Sequence, residues 1–290
     1  MRRFFLCLSA VLPAAVLLAA CATDPSQNDV TLQVGVADSF VPVMRELAKA
    51  YHSHQPWVKI ELHEANTAKL EQDLKEGKAY DIYLPSRVTS MDALAAKDAI
   101  NPQSRQLLAL NQLTVISAPD SGMSLTYTEL TNPNVRQIAV ANPNSLLGYL
   151  TRQALTNMKM LPSHEATPLG QPSAPAASGN SNLPPDLAKL IAAQTVNLEP
   201  KLLVVANEDD VVAAVKDGRA QLGITYTSYV VNDNKVRILA PLELGSYSPV
   251  AYNVAIPRNA PHNDEAWQFL NYLRSAEAHA IMQREGLLVN

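Results

Sequence analysis

The chain has 290 residues, with 23 Lys and Arg against 27 Asp and Glu, which gives a formal net charge of −4. A hydrophobic content of 47% indicates a globular chain rather than a disordered one. The acidic balance excludes the basic footprint of a nucleic-acid-binding protein. It leaves small anions as ligands, because backbone dipoles can bind an anion on an acidic protein.

The first 20 residues have the pattern of a signal peptide. Arg2 and Arg3 precede an apolar stretch, 4–18, that is too short and wrongly flanked for an ordinary membrane span. The run Leu-Ala-Ala-Cys that ends at Cys21 resembles a bacterial lipoprotein cleavage box. We therefore expect Cys21 to carry a lipid, residues 21–30 to form a tether, and the protein to be anchored at the extracytoplasmic face of the cell envelope. The alternative is a plain signal peptide with an incidental Cys.

Strands and helices alternate along the mature chain. Strands are predicted at 32–37, 58–62, 81–84, 113–117, 138–141, 202–205, 222–225 and 250–256, and helices at 41–51, 68–76, 90–97, 147–158, 209–216, 264–273 and 276–284. This β-α-β order favours an α/β fold with mainly parallel sheets flanked by helices. Cys7 lies in the predicted signal peptide, so the mature chain has no internal disulfide.

Residues 162–186 interrupt this alternation. They are rich in Pro, Ser and Ala and carry no periodic apolar residues. Such a composition predicts a mobile surface loop. A domain boundary is the alternative, although both flanks have the pattern of one α/β unit.

Polar residues follow several predicted strands directly. Asp38-Ser39 follows the first strand, Asn66-Thr67 the second, and Asn207 a later one. In an α/β sheet these strand ends line the ligand crevice, and helix N-termini there offer N–H groups and a partial positive charge. These residues therefore suit an oxyanion site. The alternative is that they only cap the N-termini of their helices, which is the commoner use of Ser, Thr and Asn at such positions.

Several segments together resemble the periplasmic molybdate-binding proteins of ABC importers over about residues 31–290. They are the run Val-Ala-Asp-Ser that ends at Ser39, the segment 70–84, the segment 138–143, the run Leu-Gly-Ile-Thr-Tyr that ends at Tyr226, and the terminal 284–287. The resemblance implies a two-lobed type II periplasmic-binding-protein fold. One lobe would hold 31–113 plus 237–290, the other 114–236, with crossing strands as the hinge.

The resemblance also implies a set of ligand-binding residues. The family grips a tetrahedral oxyanion with hydroxyls and backbone N–H groups. Ser39 and Thr67 match its two hydroxyl positions and Tyr226 matches its ligand tyrosine, while Leu147 and Glu208 match positions that donate backbone N–H groups. The loop before Leu147 is one residue shorter than the family's.

Acidic residues distinguish this chain from the family at the ligand site. Glu208 is followed by Asp209 and Asp210, and Asp38 precedes Ser39. These carboxylates either face solvent at a helix start or change the ligand. They would repel a dianion, and they could instead accept a proton from a protonated ligand or help to bind a cation.

Other classes of protein fit less well. The sequence has no Gly-x-Ser-x-Gly elbow, Walker loop or His-Glu-x-x-His motif. We therefore predict no enzyme activity, no catalytic residues, no metal site and no cofactor. The expected partners are an oxyanion or other small-molecule ligand and an ABC permease, for a protein that is monomeric. A sensory or scaffold lipoprotein on the same fold is the alternative.

Overall fold

The computed structural model describes residues 29–162, 196–248 and 250–289. The predicted signal peptide, Cys21 and nearly all of the predicted loop 162–186 lie outside these residues. Within the described ranges, no helix is long and apolar enough to span a membrane.

The described elements alternate as the sequence predicts, with two additional strands, β4 and β9. The strands are β1 Val30–Ala37, β2 Val58–Ala65, β3 Ile82–Leu84, β4 Gln106–Asn111, β5 Leu113–Ser117, β6 Ile138–Ala141, β7 Leu202–Val205, β8 Leu222–Tyr226, β9 Arg237–Pro241 and β10 Val250–Val254. The helices are α1 Val41–His54, α2 Thr67–Lys75, α3 Val88–Ala96, α4 Leu146–Asn157, α5 Glu208–Lys216, α6 Thr227–Val230, α7 Asn263–Tyr272 and α8 Ala276–Arg284.

The first sheet is parallel, in the order β2-β1-β3. Its central strand is buried because Leu32, Val34 and Val36 are fully inaccessible to solvent. Gly35 is required by close packing, since a Cβ at this position would lie 2.9 Å from the ring of Tyr80. In this sheet the carboxyl ends of β1 and β2 meet at one edge, where Ala37 pairs with Ala65.

The second sheet has five strands in the order β7-β6-β8-β5-β9. Strand β6 pairs in parallel with β7 and β8, whereas β5 runs antiparallel to β8 and β9. This mixed arrangement still gathers the carboxyl ends of β6, β7 and β8 at one edge. Mixed α/β layers of this kind, with parallel strands flanked by helices, agree with the predicted fold class.

A separate antiparallel pair, β4 with β10, connects the two sheets along the chain. Strand β4 leads into β5 of the second sheet through Gln112 alone, and β10 follows β9 of that sheet. The residue boundaries of the two lobes stay a proposal. Because β9 pairs with β5, we propose that the second lobe extends to Pro241, whereas the sequence-based division assigns residues from 237 onward to the first lobe.

Candidate functional site

A cavity of about 410 Å³ lies between the strand ends of the two sheets. Its size is within the range of small-molecule sites. The residues that line it come from six segments at strand ends and helix starts: Ala37, Asp38, Ser39, Asn66, Thr67, Ala68, Ser86, Arg87, Asn144, Ser145, Leu146, Glu208, Tyr226 and Tyr229.

Four of the five sequence-predicted ligand residues line this cavity. Ser39 and Thr67 come from the side of the first sheet, and Glu208 and Tyr226 from the side of the second. The fifth, Leu147, does not line it: its side chain is fully buried in the hydrophobic core, and the neighbouring Leu146 faces the cavity instead. The backbone N–H of Leu147 lies in the first turn of α4, where helix geometry provides no intrahelical acceptor.

We call Ser39, Thr67 and Ser86 the first wall of the cavity. The Ser39 Oγ accepts a hydrogen bond of 3.0 Å from the Tyr252 hydroxyl. Tyr252 is fully buried, and burial raises its pKa, so it stays protonated and donates. Because one lone pair of Ser39 is thereby occupied, its own hydroxyl proton can point toward a ligand.

The Tyr252 hydroxyl is itself held by Asn111, a buried residue at the end of β4. The Asn111 Nδ2 donates to the Tyr252 oxygen at 3.2 Å and to the Ser228 Oγ at 2.8 Å. The Asn111 Oδ1 accepts the backbone N–H of Gln112 at 3.0 Å. This network ties the first wall to the strand pair that connects the two sheets.

Thr67 begins α2 and is almost completely buried. Its Oγ1 lies 3.0 Å from the Ser86 Oγ and accepts the Ser86 backbone N–H at 3.2 Å. Sequence reasoning missed Ser86, although it follows β3 in the pattern that singled out Ser39 and Thr67: a buried strand, then small polar residues. Next to it, the exposed Arg87 supplies a cation among the lining residues described.

Tyr226 and Glu208 form the second wall. The Tyr226 side chain is almost wholly buried, and its hydroxyl has no hydrogen-bond partner within the described residues. Burial, more than any neighbouring charge, raises the Tyr226 pKa, so the phenol is a donor. Leaving a buried polar group unpaired costs about 1–3 kcal/mol, which an acceptor on a ligand would recover.

Three of the helices that begin at the cavity have a side-chain cap. The Asn66, Ser145 and Asn207 side chains each accept the third backbone N–H of their helix, at 3.0 Å in every case. The caps take only one of the four N–H groups that lack an intrahelical acceptor at a helix start. The N-termini of α2, α4 and α5 therefore bring further donors and partial positive charge to the cavity.

Two carboxylates oppose that positive potential. Burial, followed by the charge of Glu64, raises the pKa of Asp38. Burial also raises the pKa of Glu208, against its own backbone N–H, and the charges of Asp209 and Asp38 add to the rise. A unit negative charge on a ligand, placed about 5 Å from one ionised carboxylate, would be repelled by roughly 3 kcal/mol at an effective dielectric constant near 20.

The described residues hold no group of three or more His, Cys, Asp or Glu side chains placed to bind a metal ion. Tyr229, another residue that sequence reasoning missed, faces the same cavity three positions after Tyr226. Its pKa is raised to about 12 by burial and by Asp209, Glu208 and Asp38, so it too is a neutral donor. The cavity therefore offers hydroxyl and backbone donors with a mixed charge.

Comparisons with known proteins give a family and two relatives that match nearly the whole chain. The family described as bacterial extracellular solute-binding protein matches residues 32–288. YvgL of Bacillus subtilis, named as a substrate-binding lipoprotein of an ABC transporter, is 22% identical over 96% of this chain and 95% of its own length. The molybdate-binding protein ModA of Escherichia coli is 26% identical, with 95% of both chains covered. These relatives are solute-binding proteins of transporters rather than enzymes.

Solved structures show the same fold. The substrate-binding domain named as that of a molybdenum ABC transporter from Clostridium difficile superposes with a TM-score of 0.72 at 23% sequence identity. The match covers 89% of this chain and 98% of that domain. The type II periplasmic-binding-protein fold predicted from the sequence is therefore confirmed.

Proposed function

The chain belongs to the bacterial extracellular solute-binding proteins, and on that premise we propose that it is a lipid-anchored receptor of an ABC importer for a tetrahedral oxyanion such as molybdate. The ligand would lie in the cavity between the first and second walls. It would accept hydrogen bonds from Ser39, Thr67 and Tyr226 and from the N–H groups at the starts of α2, α4 and α5.

The observation that carries this proposal is the buried Tyr226 hydroxyl, which has no hydrogen-bond partner in the part of the chain that the structure describes. Tyr226 lines a cavity that is also lined by Ser39 and Thr67 and by residues at three capped helix N-termini. Donors that converge from two sheets suit an anion with several oxygen atoms, because no single wall could satisfy all of them. The relative ModA, which is named for molybdate, supports the same class of ligand.

A closed arrangement of the two walls follows from this division of donors. Each wall alone supplies only part of the hydrogen bonds. An anion that contacts both walls gains affinity in the closed state, which is the differential affinity that a shift of population requires. We expect the hinge at the β4 and β10 pair, where Asn111 and Tyr252 connect to Ser39.

The ligand class is tested by a thermal-shift screen of the detergent-solubilised full-length protein with molybdate, sulfate, phosphate, metal ions and small organic solutes. An oxyanion should raise the melting temperature, and Ser39→Ala should weaken its binding roughly tenfold or more. Ser53→Ala, which removes an exposed hydroxyl on α1, serves as the control and should have no effect. Stabilisation by organic solutes alone would favour a different ligand on the same fold.

The lipid anchor is tested at Cys21. Replacing Cys21 with Ser should release the protein from membranes, because acylation requires the thiol. Equal membrane retention of the Cys21→Ser variant would show that the anchor lies elsewhere. A signalling or scaffold role is the alternative to transport. It would be favoured if deleting the cognate permease left the protein's physiological effect intact.

A further inference from the structure

Two carboxylates from different sheets face the same cavity. Asp38 follows β1 at the edge of the first sheet, and Glu208 begins α5 beside the second. An oxyanion placed against Ser39 and Tyr226 would have both carboxylates in its surroundings. An oxyanion receptor with fixed acids at its site needs a physical reason for them.

The groups around the two carboxylates do not neutralise them. Asp38 faces the charge of Glu64 from β2, and Glu64 is itself paired with Arg45 of α1 at 2.5 Å. Arg87 at the start of α3 is the cation that lines the cavity on this side in the described part of the chain.

Glu208 has acidic or neutral neighbours. Asp209 and Asp210 share its helical turn, and Asp38 adds negative charge across the cavity. The phenols of Tyr226, Tyr229 and Tyr252 approach from β8, α6 and β10, and all three have raised pKa values and stay protonated. Burial, followed by the charges of Asp209 and Asp38, raises the pKa of Glu208.

The donors and the acceptors at the cavity suit different kinds of ligand oxygen atom. Hydroxyls at Ser39, Thr67 and Tyr226 can donate to the bare oxygen atoms of an anion. An ionised carboxylate accepts only, so Glu208 and Asp38 suit an oxygen that carries a hydrogen. The buried Tyr226 hydroxyl, which has no partner among the described residues, belongs to a residue that lines the cavity and is an independent reason to place a ligand oxygen there.

We propose, resting on the oxyanion function above, that the cavity binds its anion together with one proton, held between an oxygen of the anion and the Glu208 carboxylate. An anion that already carries a hydrogen, of the hydrogen-phosphate kind, is then preferred to a fully deprotonated one such as sulfate. A fully deprotonated anion takes the proton from solvent as it binds. Glu208 is the residue that sets this specificity, and Asp38 reinforces it by its charge.

The proton count is measured by isothermal titration of the detergent-solubilised full-length protein with sulfate and with inorganic phosphate. Titrations in two buffers of different ionisation enthalpy, between about pH 5 and pH 9, give the protons taken up per anion. Sulfate should take up about one proton, with affinity falling about tenfold per pH unit in the upper part of the range. Phosphate should bind at least about tenfold more tightly at neutral pH and take up fewer protons.

Matched variants assign the proton to a residue. Glu208→Gln should raise the affinity for sulfate about tenfold and remove most of the proton uptake, because the amide needs no proton to donate. Asp209→Asn removes the same charge one residue away, on an exposed side chain that does not line the cavity, and should retain most of the proton uptake. If Glu208→Gln does not fold, the number of protons that the wild-type protein takes up per sulfate ion still tests the proposal.

Sulfate bound without proton uptake, and as tightly as phosphate, would overturn the proposal while leaving the oxyanion function intact. Equal effects of Asp209→Asn and Glu208→Gln on the proton count would also overturn it. Binding of neither anion, nor of molybdate, would reject the oxyanion function and this inference together. The two failures are therefore distinguishable in one set of titrations.

Discussion

The two walls of the cavity hold their polar groups in different ways. On the first wall, Ser39 accepts from Tyr252, and Thr67 and Ser86 are bonded to each other. On the second wall, the Tyr226 hydroxyl has no partner in the described residues, and Glu208 is a carboxylate in surroundings that disfavour its charge. One wall is satisfied without a ligand, and the other is not.

The two walls therefore have different roles: the first wall positions the ligand, and the second wall contributes affinity for it. The hydroxyls of the first wall are held by intramolecular hydrogen bonds, so little side-chain freedom is lost when a ligand binds there. The second wall carries the Tyr226 hydroxyl, which lacks a partner among the described residues, and the Glu208 carboxylate, whose surroundings disfavour its charge. We therefore expect changes on the first wall to reduce stability as well as binding, and changes at Tyr226 to reduce binding alone.

The largest expected effect concerns the backbone beside the second wall. A Cβ at Gly148 would lie 2.0 Å from the carbonyl oxygen of Asn142 and 2.5 Å from that of Ala141. Gly148→Ala should therefore displace the start of α4 and lower the free energy of unfolding by more than about 3 kcal/mol, measured by urea denaturation. A Gly148→Ala protein with wild-type stability and oxyanion affinity would show that this helix start is not fixed by close packing.

A smaller effect is expected on the first wall. Tyr252→Phe removes the donor to Ser39 and leaves the Asn111 amide with one acceptor fewer. The free energy of unfolding should fall by about 1–2 kcal/mol, and oxyanion affinity should fall only a few-fold, because Ser39 keeps its own proton. Denaturation and titration of the same variant test both parts. Wild-type stability in Tyr252→Phe would contradict the idea that the first wall is held by this bond.

The smallest effect is on the pH dependence of stability. The folded state raises the pKa of Glu208 above its ordinary value of 4.5, so the folded protein binds more protons than the unfolded chain in the window above that value. Glu208 therefore contributes stability below about pH 4.5 that is lost as pH rises through its folded pKa. In Glu208→Gln this loss should be absent, whereas Asp209→Asn should retain most of it. Identical pH profiles for the wild type and Glu208→Gln would contradict the shift.

Much of the fold is predictable because strands followed by amphipathic helices are repeated along the chain. Two strands were missed for physical reasons. Strand β4 is separated from β5 only by Gln112, so the two give one apolar pattern in which the change of sheet is invisible. Strand β9 ends in Pro241, a residue that argues against a strand, but β9 is at the edge of its sheet, where proline is tolerated.

The candidate site was predictable in part because the carboxyl ends of parallel strands gather at one edge. That rule selects Ser39 and Thr67, and the family resemblance adds Tyr226 and Glu208. The bond between Thr67 and Ser86, and the unsatisfied state of the Tyr226 hydroxyl, depend on tertiary packing and have no signature in the sequence. The register of α4, which brings Leu146 rather than Leu147 to the cavity, also depends on packing.

The most direct test of the oxyanion site replaces the unpartnered hydroxyl. In Tyr226→Phe, affinity for molybdate, or for whichever oxyanion stabilises the protein most, should fall roughly ten- to a hundredfold, while the ligand-free melting temperature is unchanged or higher. Tyr83→Phe is the matched control, because the Tyr83 hydroxyl is also buried without a partner among the described residues but Tyr83 does not line the cavity. The Tyr83→Phe variant should bind the oxyanion with wild-type affinity. Titration of both variants with the same oxyanion measures the two affinities. Wild-type affinity in Tyr226→Phe would mean that the anion does not bind at this cavity.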